Sequence, residues 1–152
     1  YHSIMSISSQ IQEKLKEAMK AKAKARLTAL RGIKSALQLA TLDKNDGDLA
    51  LSEELKVLQK LAKQRVDSMA IYKEQGRDDL FEIEAGELEV IQEFLPEPMD
   101  EAELRDLVAK VVSSEGANSL KDMGRVIKEV TKMAEGRADG KRIAQEVKYQ
   151  VQ

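Results

Sequence analysis

Five cationic side chains in the last quarter of the chain have the types and spacing to bind an anion. They are Lys121, Arg125, Arg137, Lys141 and Arg142. The last three surround the predicted start of the final helix, where unpaired backbone N–H groups and the positive end of the helix dipole also suit a phosphate backbone. Segment 136–140 can equally be a plain turn, in which Gly136 ends one helix and Asp139 caps the next. The residues alone support both interpretations equally.

The rest of the sequence offers no group of residues typical of catalysis. The chain has no cysteine, and its one histidine, His2, lies in residues 1–4, which we interpret as an added segment before the natural start at Met5. Without a thiolate or an imidazole there is no Cys or His nucleophile, no catalytic triad and no Cys/His metal site. We therefore predict no catalytic residue, no cofactor and no bound metal.

Charge is segregated along the chain, although the net charge is only −2. Residues 1–34 carry eight Lys and Arg against two Glu, a net of +6, whereas residues 35–98 carry seven basic and fifteen acidic residues, a net of −8. The basic segment 14–34 could follow a row of phosphates, or it could be a solvated face that pairs with the acidic helices of the same bundle. The second interpretation is favoured.

The acidic segment 78–93 has carboxylates three and four residues apart, a spacing that can hold a hydrated cation. A solvated helix face is the better interpretation, because the histidines of a bundle di-metal site are missing. Aromatic residues make up only 3% of the chain, so stacking on unpaired bases is not expected. Any nucleic acid would be bound through its backbone and shape.

Apolar residues recur at helical spacing through most of the chain, which predicts an all-α fold without strands. Capping patterns place helix starts at Ser8 or Ser9, and at Ser52, Asp100, Ser119 and Asp139. The Lys/Ala stretch 20–26 is interpreted as a bend between two helices, 43–50 as a turn, and Gly76 and Gly116 as helix ends. In the fourth helix, 77–95, the residues predicted to point inwards are Leu80, Ile83, Leu88, Ile91 and Leu95. Gly86 within it indicates a close approach of a neighbouring helix.

The two prolines, Pro96 and Pro98, mark a domain boundary, because proline removes a backbone donor and restricts the preceding residue. We expect an N-terminal domain of about four helices, residues 1–97, and a C-terminal three-helix domain, residues 98–152. No apolar run approaches ~18 residues, so no membrane span is expected. The expected location is the cytoplasm, with an organelle as the open alternative.

Several short segments resemble the GatB/YqeY family in their order and spacing. They are residues 30–37 (LRGIKSAL), 63–68 (KQRVDS), 76–80 (GRDDL), 87–91 (ELEVI), 94–96 (FLP), 121–124 (KDMG) and 136–140 (GRADG). This family comprises the helical tail of the GatB component of the tRNA-dependent amidotransferase and its free-standing YqeY-like relatives. The resemblance covers the chain from about Ser6 to Val151.

The resemblance implies a helical domain joined to a small three-helix domain, and a tail that engages the elbow of tRNA. It also implies that amidotransferase chemistry, a carbon–nitrogen ligation, belongs to parts of the assembly that this chain lacks. We therefore expect a tRNA-binding accessory module without chemistry of its own, with Lys121, Arg125, Arg137, Lys141 and Arg142 facing the RNA. The alternative is a protein-interaction adaptor that docks on an amidotransferase or another enzyme. Amidotransferase activity of the chain alone is a distant third hypothesis.

Overall fold

The computed structural model describes residues 5–44 and 47–152, and all the regular secondary structure in them is helical. The helices are α1 (Ile7–Lys20), α2 (Lys24–Lys44), α3 (Leu51–Glu74), α4 (Asp78–Gln92), α5 (Glu101–Glu115), α6 (Met123–Ala134) and α7 (Gly140–Val151). A 3₁₀ turn, Leu120–Asp122, precedes α6. The predicted all-α fold is confirmed. The interpretation of residues 1–4 lies outside the described residues.

The chain divides into two compact units between Leu95 and Pro96. In the first unit α2 packs against α1, α3 and α4, and α3 forms a long hairpin with α4. In the second unit each of α5, α6 and α7 packs against the other two. A domain is expected to fold on its own. That residues 1–97 and 98–152 are separate domains in this sense stays a prediction.

Each unit has its own apolar core, built from one face of every helix. In the first unit the buried apolar residues are Ile7, Ile11, Leu15, Ala18, Ala29, Leu30, Ile33, Leu37, Leu58, Val90, Ile91 and Phe94. In the second they are Leu104, Val108, Val111, Ala117, Val126, Val130, Ala134, Ala138, Ile143, Val147 and Val151. Aliphatic side chains at helical spacing therefore supply nearly all of the hydrophobic stabilisation.

One buried carboxylate fixes the start of α1 against α3. Glu54 is only 2% exposed. Its Oε1 accepts the backbone N–H of Ile7 at 3.1 Å, and its Oε2 accepts the backbone N–H and the hydroxyl of Ser8, each at 3.0 Å. A negative charge at this position also interacts favourably with the helix dipole. Glu54 therefore caps α1 from another helix.

The true helix caps differ from several of the predicted ones. The N-cap of α1 is Ser6 rather than Ser8 or Ser9, because Ser6 Oγ accepts the N–H of Ser9 at 3.1 Å. The N-cap of α3 is Ala50 rather than Ser52, since the Glu53 carboxylate accepts the Ala50 N–H at 2.8 Å and starts the helix earlier.

Ser119 makes no side-chain capping bond. It opens the 3₁₀ turn, and its hydroxyl donates to Asp122 instead. The predicted caps Asp100 and Asp139 are confirmed by bonds to the N–H groups of Glu103 and Arg142. In both, the capping carboxylate accepts the N–H of the residue three positions later, which is the spacing that a capping pattern in the sequence predicts.

The predicted bend and helix-ending glycines are confirmed. Lys22 has a φ of 55° between α1 and α2, and Gly76 and Gly116 have φ of 68° and 64° where α3 and α5 end. Such positive φ angles cost a glycine little. The predicted turn 43–50 is shorter, because α2 continues through Lys44, and residues 45–46 lie outside the described part.

The α3–α4 hairpin has no buried residue between Leu58 and Val90, and we call residues 59–89 the α3–α4 arm. Arg65 of α3 joins the two helices by ion pairs with Glu84 at 2.9 Å and Glu87 at 2.7 Å. Two expectations here were wrong. Ile83 is 60% exposed rather than inward, and a Cβ on Gly86 would meet nothing within 4 Å, so no helix approaches closely there.

Candidate nucleic-acid interface

The turn between α6 and α7 is organised by its own side chains. Glu135 and Gly136 both adopt positive φ, which ends α6, and Asp139 Oδ1 accepts the Arg142 N–H at 2.8 Å. A carboxylate therefore occupies the position at the start of α7 where an external anion would bind. The start of α7 on its own consequently supports the plain-turn interpretation.

Arg137 is occupied in joining this turn to the start of α5. Its Nε donates to the carbonyl of Glu97 at 2.9 Å, and its Nη2 donates to the Glu103 carboxylate at 2.7 Å. The carbonyl of Arg137 in turn accepts the N–H of Met99 at 2.7 Å. The planar guanidinium thus bridges two acceptors at once, a geometry that lysine does not reproduce.

Arg142 is held in a similar way, because its Nη2 donates to the carbonyl of Met99 at 2.8 Å. Two of the predicted RNA-facing cations therefore bind segment 97–103 of their own unit. Their guanidinium groups position the turn, and a phosphate would have to compete with these contacts.

Arg125, in the first turn of α6, is also paired. It lies 3.3 Å from the Glu115 carboxylate and 3.2 Å from that of Asp122, and it donates to the Glu115 carbonyl at 3.4 Å. The backbone N–H of Asn118 lowers the pKa of Asp122, and the charge of Arg125 lowers it further. Arg125 thus faces the Asp122 carboxylate, which stays ionised at neutral pH.

Lys121 and Lys141 differ from the three arginines. Both are exposed, and neither makes a hydrogen bond or ion pair in the part of the chain that the structure describes. They lie at opposite ends of α6, whose 12 residues span about 18 Å. The structure therefore separates the predicted cations into two groups, Lys121 with Arg125 and Arg137 with Lys141 and Arg142.

Five of the eight cations in the basic segment 14–34 are exposed, as expected of a solvated face, but few of the eight are paired. Two of its cations are paired, Lys14 with Glu17 at 3.3 Å and Arg26 with Glu93 at 2.6 Å. The others have no carboxylate partner within residues 5–44 and 47–152: Lys16, Lys20, Lys22, Lys24, Arg31 and Lys34. The expected pairing with the acidic helices thus holds for Arg26 alone in the described chain. That hydrogen-bonded pair lowers the pKa of Glu93.

A shallow cleft of about 210 Å³ lies between α1 and α2. Its lining residues are Ser8, Ile11, Gln12, Lys34, Leu37, Gln38 and Thr41. Lys34 is the one charged group among the described residues that line the cleft, and a lysine alone does not form an acid–base pair for catalysis.

The acidic face of α4 is partly neutralised. Glu84 and Glu87 pair with Arg65, Glu93 with Arg26, and Asp79 with Arg77. Across the described ranges, no group of three or more His, Asp and Glu is placed to hold a metal ion. Nor does any helix in those ranges have the length and apolar character needed to cross a bilayer.

Comparison with known proteins gives a consistent set of relatives. A protein-family model described as "Yqey-like protein" matches residues 8–151. The chain is 36% identical over 129 residues to "Altered inheritance of mitochondria protein 41, mitochondrial" of Clavispora lusitaniae. The matched region covers 80% of this chain and 72% of that protein.

Two further relatives carry the same name. The protein of Meyerozyma guilliermondii is 31% identical over 127 residues, 79% of this chain and 66% of that protein. The protein of Kluyveromyces lactis is 36% identical over 84 residues, 55% of this chain. The match spans only 45% of the Kluyveromyces protein, less than half of its length. All three relatives are mitochondrial by name.

Proposed function

Since the chain belongs to the YqeY-like protein family, we propose that it is a tRNA-binding accessory module that holds RNA by backbone and shape and performs no chemistry of its own. The choice of tRNA rests on the sequence resemblance to the GatB tail of the amidotransferase. The observation that carries the proposal in the second unit is the exposure of Lys121 and Lys141 without a partner among the described residues. Ammonium groups of this kind bind phosphates as point charges.

Within this proposal the five cations have different roles. Lys121 and Lys141 contact phosphates, and Arg137 and Arg142 hold the turn that presents Lys141. Arg125 stabilises the 3₁₀ turn that contains Lys121, through its contacts with Asp122 and Glu115. Both the cytoplasm and mitochondria contain tRNA, so the proposal applies in either compartment.

The test is a double substitution, Lys121→Ala with Lys141→Ala, assayed by tRNA binding over a range of salt concentrations. We expect tRNA affinity to fall about tenfold near 0.1 M salt, and the slope of log affinity against log salt to become shallower by about 1.5 to 2. Lys110→Ala with Lys128→Ala is the matched control, because it removes two exposed lysines from the same unit. Equal losses in both variants would show an effect of net charge and would overturn the assignment of Lys121 and Lys141.

The alternative function is a protein adaptor, and the α3–α4 arm favours it. Val66, Ile71 and Ile83 of the arm are 50%, 53% and 60% exposed, so the arm offers apolar side chains that a protein partner could cover. The partner would be an amidotransferase, as the sequence resemblance suggests.

For the adaptor, Ile83→Glu should weaken binding to a purified tRNA-dependent amidotransferase at least tenfold and leave tRNA affinity unchanged. Leu42→Glu serves as its control, since Leu42 is 72% exposed on α2, outside the arm. Titration calorimetry measures both affinities. If the unmodified chain gives no heat of binding with the amidotransferase at micromolar concentrations, this alternative is wrong.

A further inference from the structure

We infer that the first unit carries a second surface for the phosphate backbone of folded RNA, centred on the turn between α1 and α2. Its residues, which we call the α1–α2 basic surface, are Lys16, Lys20, Lys22, Lys24 and Arg31. The inference deepens the proposed function, because the ligand is again RNA. It concerns other residues in the other unit, so the two assignments can fail separately.

The geometry of the turn brings three of these lysines together. Lys20 is the last residue of α1, Lys22 has the positive φ that reverses the chain, and Lys24 is the first residue of α2. All three are exposed. Three positive charges within five residues therefore lie at one end of the α1–α2 hairpin.

Helical spacing extends this cluster along both helices. Lys16 precedes Lys20 by four residues, which places both on one face of α1. Arg31 follows Lys24 by seven residues, about two turns, which places both on one face of α2. The opposite face of each helix is the one that fills the core, with Leu15 and Leu30 among its buried residues. The cations thus occupy the solvent faces of both helices.

Nearby carboxylates do not neutralise these five cations. Glu17 pairs with Lys14, and Glu93 binds Arg26 through both of its oxygens at 2.6 and 2.9 Å. No ion pair to the five is formed anywhere in the described part of the chain. Like charges in such proximity repel one another, and a polyanion relieves that repulsion while releasing its own counterions.

The chemistry of the surface favours folded RNA over a membrane or a single strand. The apolar face of α1, from Ile7 to Ala18, is buried in the core, so α1 cannot insert a face into a bilayer. Residues 5–44 contain no Phe, Trp or Tyr, so no base can stack there. Four of the five cations are lysines, which attract phosphates without reading the bases.

The test uses the full chain with a purified tRNA as the probe. The variant Lys20→Gln, Lys22→Gln and Lys24→Gln removes three charges and keeps long, helix-compatible side chains. Its matched control is Lys56→Gln, Lys60→Gln and Lys73→Gln, three exposed lysines of α3, which changes the net charge equally. We expect the first variant to bind tRNA at least tenfold more weakly near 0.1 M salt, and the control to change affinity less than twofold. The salt slope should become shallower by about 2 in the first variant only.

Three other outcomes would overturn the inference. Equal losses in variant and control would mean that net charge alone matters, and no loss in either would mean that the turn does not touch RNA. Loss of binding to vesicles of anionic phospholipid, with tRNA binding unchanged, would assign the surface to a membrane instead.

The two RNA assignments are separated by comparing their variants. If only the Lys121 and Lys141 variant loses tRNA binding, the proposed function stands and this inference fails. If only the Lys20, Lys22 and Lys24 variant loses it, this inference stands and the assignment of Lys121 and Lys141 fails.

Discussion

Glu54→Ala is expected to lower the free energy of unfolding of the first unit by about 3 kcal/mol, because buried hydrogen bonds to a charged group contribute roughly 1.5–3 kcal/mol each and are not fully additive. The substitution leaves the N–H groups of Ile7 and Ser8 without the acceptor that holds them at 3.1 and 3.0 Å. It also removes the negative charge at the start of α1 and leaves a small cavity beside α3. The first turn of α1 should therefore loosen before the rest of the unit.

Amide hydrogen exchange, resolved by residue, measures this effect in each unit separately. Protection should fall in α1 and change little in α5, α6 and α7. Glu54→Gln should cost less than the alanine variant, since an amide oxygen can still accept one bond. Glu74→Ala is the control, because Glu74 is an exposed carboxylate at the other end of α3. A loss as large at Glu74 as at Glu54 would show that the capping contact contributes nothing.

Arg137→Lys is expected to destabilise the second unit nearly as much as Arg137→Ala, by about 1–2 kcal/mol, although the lysine keeps the charge. The reason is the geometry, in which one guanidinium donates to both the Glu97 carbonyl and the Glu103 carboxylate. A lysine ammonium can reach one of these acceptors but does not reproduce the planar bridge. The side chains of Arg137 and Glu103 are 34% and 44% exposed, so solvent weakens the contact and the effect is smaller than that expected at Glu54.

Urea denaturation followed by exchange at the start of α5 would measure this loss, with Lys141→Ala as the nearby control that should change stability by less than about 0.5 kcal/mol. Well below the unfolding midpoint, Arg137→Lys should bind tRNA within twofold of the unmodified chain. A large loss of tRNA affinity in a fully folded Arg137→Lys protein would instead place the Arg137 guanidinium on the RNA. Stability and affinity therefore have to be measured on the same variants.

The helices could be predicted because their signals are local. The 3.6-residue spacing of apolar residues, the Asp100 and Asp139 caps and the helix-ending Gly76 and Gly116 all act within a few positions of where they stand. Glu54 could not be recognised as a cap, since its partners lie 46 and 47 residues away. Ile83 and Gly86 were misassigned because periodicity finds the apolar face of a helix but does not say whether another helix covers it.

The candidate site was predictable in its residue types and only partly in its arrangement. The sequence identifies cations at 121, 125, 137, 141 and 142, yet the partners of Arg137 lie 34 and 40 residues away. Whether a cation faces solvent or its own fold depends on such distant contacts. The pairing of the basic segment 14–34 was wrongly predicted for the same reason. The charge counts predicted that the acidic helices neutralise this basic segment. Most of the paired carboxylates of α4 instead bind Arg65 and Arg77.

The lack of buried side chains in the α3–α4 arm sets the order in which the first unit comes apart. Residues 59–89 contribute only partly buried side chains to the core, such as Leu61 and Ala62, whereas separating α1 from α2 uncovers Leu30 and Ile33, which are 0% and 1% exposed. Segments with few buried contacts open locally at low free energy. The unit should fray from the tip of the arm, near Gly76, towards its base. A protease should therefore cleave the chain first near Gly76 and leave the α1–α2 hairpin, with its lysines, folded.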